Sequence, residues 1–353
     1  MSRSAIALVI VVVAAAVGAC QPSGSQSSTG QPPTGAPSGS APTSVVPLTV
    51  GLGYIPSVQF APFYYAQQQG LYGACGLQVA FQNQIDPNLI TLVGQGSIDV
   101  GLADGTSVVP AVSQGIPIKY LATVYGTFPS IVFAKASSGI TTAADLKGKR
   151  IGIPGRYGSS WVMLQALLGS ANLTPNDVKI TEYPDFGQGA ALQQGQVDAA
   201  TGFDNNEPVQ ARLAGTDVTV LRIDSVIHLP GPGLISGTST LSAKGGAINA
   251  FAAATLQAMR DIATDPTKGL DASIAAVPDL GKDRTTQDAI LRATIADWST
   301  PGDGPSAYGL IDQAGWQATI DYLGTLGMTP KPVTVDDATA TFAKGVPSSP
   351  CGG

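Results

Sequence analysis

The segment Leu92–Val100 reads LVGQGSIDV, and Ala191–Ala199 repeats its pattern as ALQQGQVDA. In both segments a helical stretch ends at Gln-Gly, Ile or Val follows, and an aspartate leads into a strand of small residues. Polar residues come after each strand, at Asp104–Thr106 in the first copy and Asp204–Glu207 in the second. The repeat predicts two similarly built α/β lobes rather than one long sheet.

A second repeat involves the strands that open the two halves. The apolar strand Val45–Leu52 runs into the turn Gly53–Ser57, and Arg150–Gly155 is again a strand followed by a Gly/Pro turn. Strand and helix patterns alternate between them, which is typical of a mainly parallel sheet with helices on both faces. Ligands of such sheets bind beyond the carboxyl ends of the strands, so we expect a ligand cleft where the two lobes face each other.

The N-terminus has the pattern of an export signal. Arg3 precedes the uncharged apolar run Ala5–Val17, which is too short to span a bilayer comfortably as a helix. The run ends in Val17–Cys20, which resembles the bacterial lipobox and predicts lipidation of Cys20; an ordinary cleaved signal with an incidental cysteine is the alternative. Gln21–Ser44 contains only Gln, Pro, Ser, Gly, Thr and Ala, a composition typical of a flexible tether.

These patterns divide the chain into five parts. In chain order they are a lipoprotein signal peptide at 1–20, a disordered linker at 21–44, lobe 1 at 45–136 and again at 231–345, lobe 2 at 137–230, and a C-terminal tail at 346–353. Hinges are expected near Phe133–Ser138 and Leu221–Pro230, where the chain passes between lobes. From Leu241 onward the chain is predicted to be mainly helical, with Trp298 and Trp316 in the core of lobe 1.

Composition and cysteine content narrow the class of protein. The 353 residues carry a net charge of −6, and nothing in the sequence resembles a basic groove, so nucleic acid is not an expected partner. No spacing suits a metal site, and no cofactor is expected. Once Cys20 is set aside, Cys75 and Cys351 remain, which suggests one disulfide in an exported protein; two independent thiols are the alternative.

Three segments resemble a known family. They are GYIPSVQFAPFY at Gly53–Tyr64, DLKGKRIGIP at Asp145–Pro154 and NNEPVQ at Asn205–Gln210. They are similar to the periplasmic solute-binding proteins of ABC importers for thiamine pyrimidine precursors, riboflavin, sulfonates and nitrate, and the similarity covers about Leu48–Leu241. The resemblance implies a two-lobed, type II-like periplasmic-binding-protein fold, a monomer anchored outside the cytoplasmic membrane, and a membrane permease as partner.

The third segment resembles the vitamin-related branch of that family and favours a planar N-heterocycle, a thiamine pyrimidine precursor or riboflavin. Residues near the predicted strand ends agree, because flat rings stack on aromatic side chains while amides and carboxylates bind ring nitrogens and amino groups. The expected ligand-binding residues are Tyr54, Gln59, Phe60, Asp104, Tyr125, Tyr157, Ser159, Ser160, Trp161, Phe203, Asn205, Asn206 and Glu207. Phe128 belongs to the same set of strand-end aromatics.

Two alternatives remain at this point. Arg156 precedes a helix that starts near Tyr157–Trp161, and its free amides would suit a small anion such as a sulfonate, taurine or nitrate, although Ser159 or Ser160 as a helix cap is equally compatible. The second alternative is a pyrimidine synthase, since such enzymes share the fold. The resemblance implies that they use a reactive histidine and a cysteine-rich motif, whereas this chain has one histidine, His228, and no cysteine cluster. We therefore expect a binding protein rather than an enzyme.

Overall fold

Two five-stranded sheets organise the chain. The structure, a computed structural model, describes residues 45–340 except 86–87, 224–225 and 301–302. In chain order the strands are β1 Val46–Gly53, β2 Leu77–Ile85, β3 Val100–Ala103, β4 Ile118–Thr123, β5 Ser130–Lys135, β6 Arg150–Ile153, β7 Lys179–Glu182, β8 Ala199–Phe203, β9 Val218–Arg222 and β10 Gly233–Gly237.

Helices connect these strands and form most of the chain after β10. They are α1 Ala61–Gln68, α2 Leu71–Ala74, α3 Asn88–Gly94, α4 Gly105–Ser113, α5 Gly158–Ser170, α6 Gln188–Gln193, α7 Glu207–Leu213, α8 Thr238–Thr264, α9 Pro266–Ala276, α10 Arg284–Asp297, α11 Gln313–Thr325 and α12 Val335–Ala338. Aspartates cap four of them by accepting a hydrogen bond from a first-turn N–H, at Asp104, Asp265, Asp283 and Asp312.

The two sheets have the same topology. The first has the order β2-β1-β3-β10-β4 and the second β7-β6-β8-β5-β9. In each, one strand runs antiparallel to both of its neighbours, β10 in the first and β5 in the second, while the other four share a direction. We call the first sheet with its packed helices lobe 1 and the second lobe 2. The predicted two-lobed α/β fold is confirmed.

The aspartates of the sequence repeat have the same structural role in both lobes. Asp99 accepts a hydrogen bond of 2.9 Å from the backbone N–H of Thr49, and Asp198 accepts one of 2.8 Å from that of Arg150. Each also pairs with a cation, Asp99 with Lys244 and Asp198 with Arg150 itself. The carboxylates therefore fasten the start of β3 to β1 and the start of β8 to β6, which explains the repeat in the sequence.

The predicted boundary between lobes is corrected at one point. The sequence predicts residues 130–135 to belong to lobe 1, but they form β5, which lies between β8 and β9 in the second sheet. Its side chains alternate between two apolar clusters of lobe 2, with Ile131 and Phe133 on one face and Val132 and Ala134 on the other. The first crossing between the sheets therefore precedes Ser130, and Phe133–Ser138 is not that crossing.

Each sheet is buried on both faces. In lobe 1, α1, α8, α9 and α10 cover one face, and α3, α4 and α11 cover the other. Trp298 and Trp316 are 1% and 0% exposed and lie in these two cores, as predicted. In lobe 2, α5 and α6 lie on opposite faces. Among the helices described, none is both long and apolar enough to cross a membrane.

Some predictions fall outside the described residues. The signal peptide, the lipobox cysteine Cys20, the linker, the C-terminal tail and Cys351 all lie there. Cys75 is disulfide-bonded. Its pairing with Cys351 stays a prediction.

Candidate functional site

A cavity of about 150 Å³ lies between the two lobes, at the carboxyl ends of β1, β3, β6 and β8. Both lobes contribute to its walls. Most of the predicted binding residues line it, namely Tyr54, Gln59, Phe60, Asp104, Tyr125, Tyr157, Ser159, Ser160, Phe203, Asn206 and Glu207. The cavity therefore lies at the strand ends, where a ligand of such a sheet is expected.

Tyr54 crosses from lobe 1 towards lobe 2. Gly53 precedes it with φ of +73°, and a β-carbon there would lie 2.9 Å from the carbonyl oxygen of Leu102, so the sharp turn that directs Tyr54 into the cavity requires glycine. The ring of Tyr54 meets that of Phe186 edge to face, with centroids 4.8 Å apart and planes at 84°. Burial and the nearby carboxylate of Glu207 raise the pKa of Tyr54, and its hydroxyl hydrogen-bonds to Asn206.

The lobe 1 wall is built on capped helix starts. Asp104 ends β3 and caps α4, accepting hydrogen bonds from the N–H and the hydroxyl of Thr106 at 2.8 and 2.5 Å. Ser57 holds the turn before α1, because its Oγ accepts from the N–H of Gln59 at 3.2 Å and contacts Gln59 Oε1 at 3.1 Å. The side chains of Asp104 and Gln59 are both buried at the wall of the cavity.

The lobe 2 wall includes the start of α5. Its N-cap is Tyr157, whose side chain makes no capping hydrogen bond, and Ser159 and Ser160 follow in the first turn. Neither serine is therefore the cap, which was one of the two alternatives. The first-turn N–H groups and the two hydroxyls provide hydrogen-bond donors at the cavity.

Glu207 is the acidic group of the lobe 2 wall. Its carboxylate accepts a hydrogen bond of 2.9 Å from the N–H of Phe203. A β-carbon on Gly202 would lie 2.8 Å from Glu207 Oε2, so the glycine in β8 makes room for the carboxylate. Burial raises the pKa of Glu207 to about 7. At neutral pH this side chain is therefore able both to accept and, in its protonated fraction, to donate a hydrogen bond.

Three predicted residues lie elsewhere. Asn205 does not line the cavity, because both ends of its buried amide are bonded to lobe 1, to Gln59 and Thr294. Trp161 points away and packs against the lobe 2 core, since only one face of α5 borders the cavity. Phe128 is 2% exposed in that same core.

The charges around the cavity are acidic. Arg156 is not among the lining residues; it pairs with Glu182 at 3.0 Å and lies 5.0 Å from the centre of the Trp161 ring. Of the described residues that line the cavity, none is Lys or Arg. Among the described lining residues, positive charge for an anion therefore comes only as the partial charge of helix starts, of which α5 provides one.

Sequence reasoning missed a group of lining residues. They are Leu52, Ile85, Leu102, Ala103, Ser107, Pro154, Phe186, Gln188 and Pro232. Phe186 and Gln188 follow β7, so the same strand-end rule would have found them had that strand been recognised. The apolar members resemble ordinary core residues in sequence, and no signal distinguishes them.

The described residues also bear on metal binding and on nucleophilic catalysis. Within the described residues, no group of three or more His, Cys, Asp or Glu side chains could hold a metal ion. His228 lies in a loop, where its Nε2 is 3.1 Å from Asp312 Oδ2, and it does not line the cavity.

Comparison with known proteins agrees with this geometry. The model of the family described as "NMT1/THI5 like" matches residues 57–269. The chain belongs to the NMT1/THI5-like family. A curated relative, the riboflavin-binding protein RibY of Chloroflexus aurantiacus, is 31% identical over 82% of this chain and 84% of its own. The 4-amino-5-hydroxymethyl-2-methylpyrimidine phosphate synthase of Legionella pneumophila is 27% identical over 52% of this chain and 57% of its own.

Solved structures share the fold of this NMT1/THI5-like chain. The alkanesulfonate-binding protein SsuA from Xanthomonas axonopodis pv. citri has a TM-score of 0.67 at 22% identity, over 85% of this chain and 99% of its own. The periplasmic aliphatic sulphonate binding protein SsuA from Escherichia coli has a TM-score of 0.65 at 20% identity, over 83% and 97%. The predicted family, fold and solute-binding class are confirmed.

Proposed function

We propose that this protein is the solute-binding component of an ABC importer and that its solute is a flat N-heterocycle of the riboflavin type. The observation that carries the proposal is the composition of the cavity: aromatic rings from both lobes, hydrogen-bonding groups on its walls, and no Lys or Arg among its described lining residues. Aromatic walls suit a planar ring, while few but well-placed polar groups fix its orientation. The likeness to a riboflavin-binding protein over most of both chains supports this class.

The mechanism follows from the division of the cavity between lobes. Tyr54 and Asp104 come from lobe 1, whereas Tyr157, Phe186 and Glu207 come from lobe 2. A ligand that contacts both walls binds the closed arrangement more tightly than an open one, and this difference in affinity drives closure. Release to the permease requires the reverse, an opening of the lobes that separates the two sets of contacts.

A small anion is the second candidate ligand. The start of α5 is the feature that favours it, because the N–H groups of a helix's first turn attract negative charge. Against it, Asp104 and Glu207 line the same cavity and Arg156 pairs outside it. We therefore rank sulfonates, taurine and nitrate below a neutral heterocycle, with a thiamine pyrimidine precursor as the nearer alternative.

We further propose that the protein is not an enzyme. The synthase relatives match about half of this chain, and the single histidine lies away from the cavity lining. The proposed setting is extracytoplasmic, with a lipid anchor at Cys20, a permease in the cytoplasmic membrane as partner, and a monomeric binding unit.

Calorimetric titration of the purified full chain tests the ligand class. Riboflavin, an aminopyrimidine, taurine and nitrate are compared under one buffer condition, and thermal unfolding is followed in parallel. A true ligand at 100 times its Kd adds about 2.7 kcal/mol to the free energy of unfolding. We expect riboflavin to bind most tightly. Binding of taurine or nitrate alone would replace the heterocycle proposal with the anion one, and binding of none would contradict both.

A further inference from the structure

Gln188 has a buried acceptor that no described residue satisfies. It is the first residue of α6 and is 2% exposed, at the lobe 2 wall of the cavity. Its Nε2 donates a hydrogen bond of 3.2 Å to the carbonyl oxygen of Thr201. Its Oε1 is fully buried and has no hydrogen-bond partner among the described residues.

The position of Gln188 is fixed by the strands beneath it. A β-carbon on Gly152 in β6 would lie 3.0 Å from the Gln188 β-carbon, so the glycine allows the side chain to approach the sheet closely. The bond to Thr201 then ties the amide nitrogen to β8. With the nitrogen held, the oxygen cannot find a partner by rotating without giving up this bond.

A buried acceptor without a hydrogen-bond partner destabilises the state of the protein in which it is buried. Such groups are rare in native proteins and call for an explanation. Gln188 is one of the residues that line the binding cavity, in the same wall as Phe186 and Glu207. A donor on the ligand would satisfy the acceptor and would relieve that destabilisation on binding.

We propose that Gln188 is a specificity-determining residue whose Oε1 accepts a hydrogen bond from a ring imide N–H of the ligand. The inference rests on the proposed heterocycle-binding function and narrows its ligand to rings with an N–H between two carbonyls. The first turn of α5, with the hydroxyls of Ser159 and Ser160, supplies donors on the same lobe for those carbonyls. An aminopyrimidine has an N–H donor but no carbonyl oxygens for the α5 donors. The isoalloxazine ring of riboflavin has the full pattern.

The test combines a change in the ligand with changes in the protein. Riboflavin and 3-methylriboflavin, in which a methyl group replaces the imide hydrogen, are titrated into the full-length wild-type chain and into Gln188→Leu and Gln188→Ala variants. We expect methylation to weaken binding to the wild type about tenfold, the equivalent of one hydrogen bond to a buried group. Gln188→Leu should bind riboflavin about tenfold more weakly and show no further loss on methylation.

The Ala variant separates hydrogen bonding from steric exclusion of the methyl group. A methylation penalty that persists in Gln188→Leu and disappears in Gln188→Ala would overturn the hydrogen bond, because Leu keeps the bulk without the acceptor. Equal binding of riboflavin and 3-methylriboflavin by the wild type would also overturn the inference. This outcome does not depend on whether a variant folds, and it would leave the proposed function intact. If the wild type does not bind riboflavin, the proposed riboflavin-type function fails and the inference fails with it.

Discussion

The side-chain amide of Gln59 in lobe 1 donates a hydrogen bond of 3.2 Å to Oδ1 of Asn205 in lobe 2. The Nδ2 of Asn205 in turn donates a hydrogen bond of 3.0 Å to Oγ1 of Thr294 in lobe 1. The hydroxyl of Tyr125 hydrogen-bonds to Asn205 and Thr294 as well. All of these side chains are buried, so the network links the lobes out of reach of water beside the cavity.

Replacement of Asn205 by Leu should therefore weaken ligand binding without removing a ligand contact. In the closed arrangement of the lobes, the variant leaves the amide of Gln59 and the hydroxyl of Thr294 without their hydrogen bonds to Asn205. In an open arrangement both groups can bond to water instead. We expect a loss of affinity of about tenfold in calorimetry and a larger radius of gyration by X-ray scattering. Asn176→Leu, at an exposed position, is the matched control. Unchanged affinity and unchanged scattering in Asn205→Leu would refute a closing role.

Phe186 has a left-handed backbone with φ of +60°, which is unfavourable for a residue with a large side chain. Glycine adopts this conformation freely, while alanine still carries a steric cost of about 1 kcal/mol. We therefore expect Phe186→Gly to be more stable than Phe186→Ala by about 1 kcal/mol in urea unfolding. Both variants should lose ligand affinity, because both remove the ring that meets Tyr54. Equal stability of the two would show that the backbone at this position is not strained.

Glu207 predicts a specific pH dependence of stability. Burial raises its pKa to about 7, above the 4.5 of an exposed glutamate. Between these values the unfolded chain has released the proton that the folded protein retains, so the free energy of unfolding falls as pH rises from about 4.5 to about 7. Above pH 7 both states are ionised and this loss is complete.

The Glu207→Gln variant isolates this effect, because Gln cannot ionise and keeps an acceptor for the N–H of Phe203. Urea unfolding at several pH values between 5 and 8 compares it with the wild type. The variant should gain stability relative to the wild type as pH rises, with little further gain above pH 7. A difference that does not vary with pH would mean that Glu207 titrates normally.

Asp99 should matter for the stability of lobe 1. It is 8% exposed and is the acceptor for the N–H of Thr49 and the partner of Lys244. Asp99→Ala leaves that N–H without its acceptor, and we expect a loss of about 1–3 kcal/mol in the free energy of unfolding. Asp288→Ala removes an exposed pair with Arg292 within one helix and should change stability by less than about 0.5 kcal/mol. Similar losses of stability in Asp99→Ala and Asp288→Ala would indicate a general effect of removing a negative charge.

The two lobes could be predicted from the sequence because the Gln-Gly…Asp repeat is a short continuous segment in each lobe, and the contacts that explain it lie within the same lobe. Asp99 and Asp198 bond to the neighbouring opening strand of their own lobe, so each copy of the pattern carries its own structural reason. The strand-end residues could be predicted for the same reason, since a strand's end is visible in the chain.

The errors arose where a side chain's direction or its distant partner decides its role. Asn205 and Asn206 are neighbours in sequence, yet one bonds to lobe 1 and the other lines the cavity. Trp161 lies in the first turn of α5, near the cavity, but it packs against the lobe 2 core and does not line the cavity. Phe186 was missed because β7 is an edge strand with largely exposed side chains, and such a strand has no apolar pattern to mark its end.

The position of β10 has a consequence for how the chain acquires its structure. β10 separates β3 from β4, and residues 130–222, which contain all of the second sheet, are synthesised before it. The second sheet can therefore assemble from one continuous stretch, whereas in the first sheet the position between β3 and β4 stays unfilled until β10 is synthesised. β4 pairs with β10 in this sheet and lacks that neighbour until β10 is synthesised, so we expect β4 to gain protection from hydrogen exchange later than the strands of the second sheet.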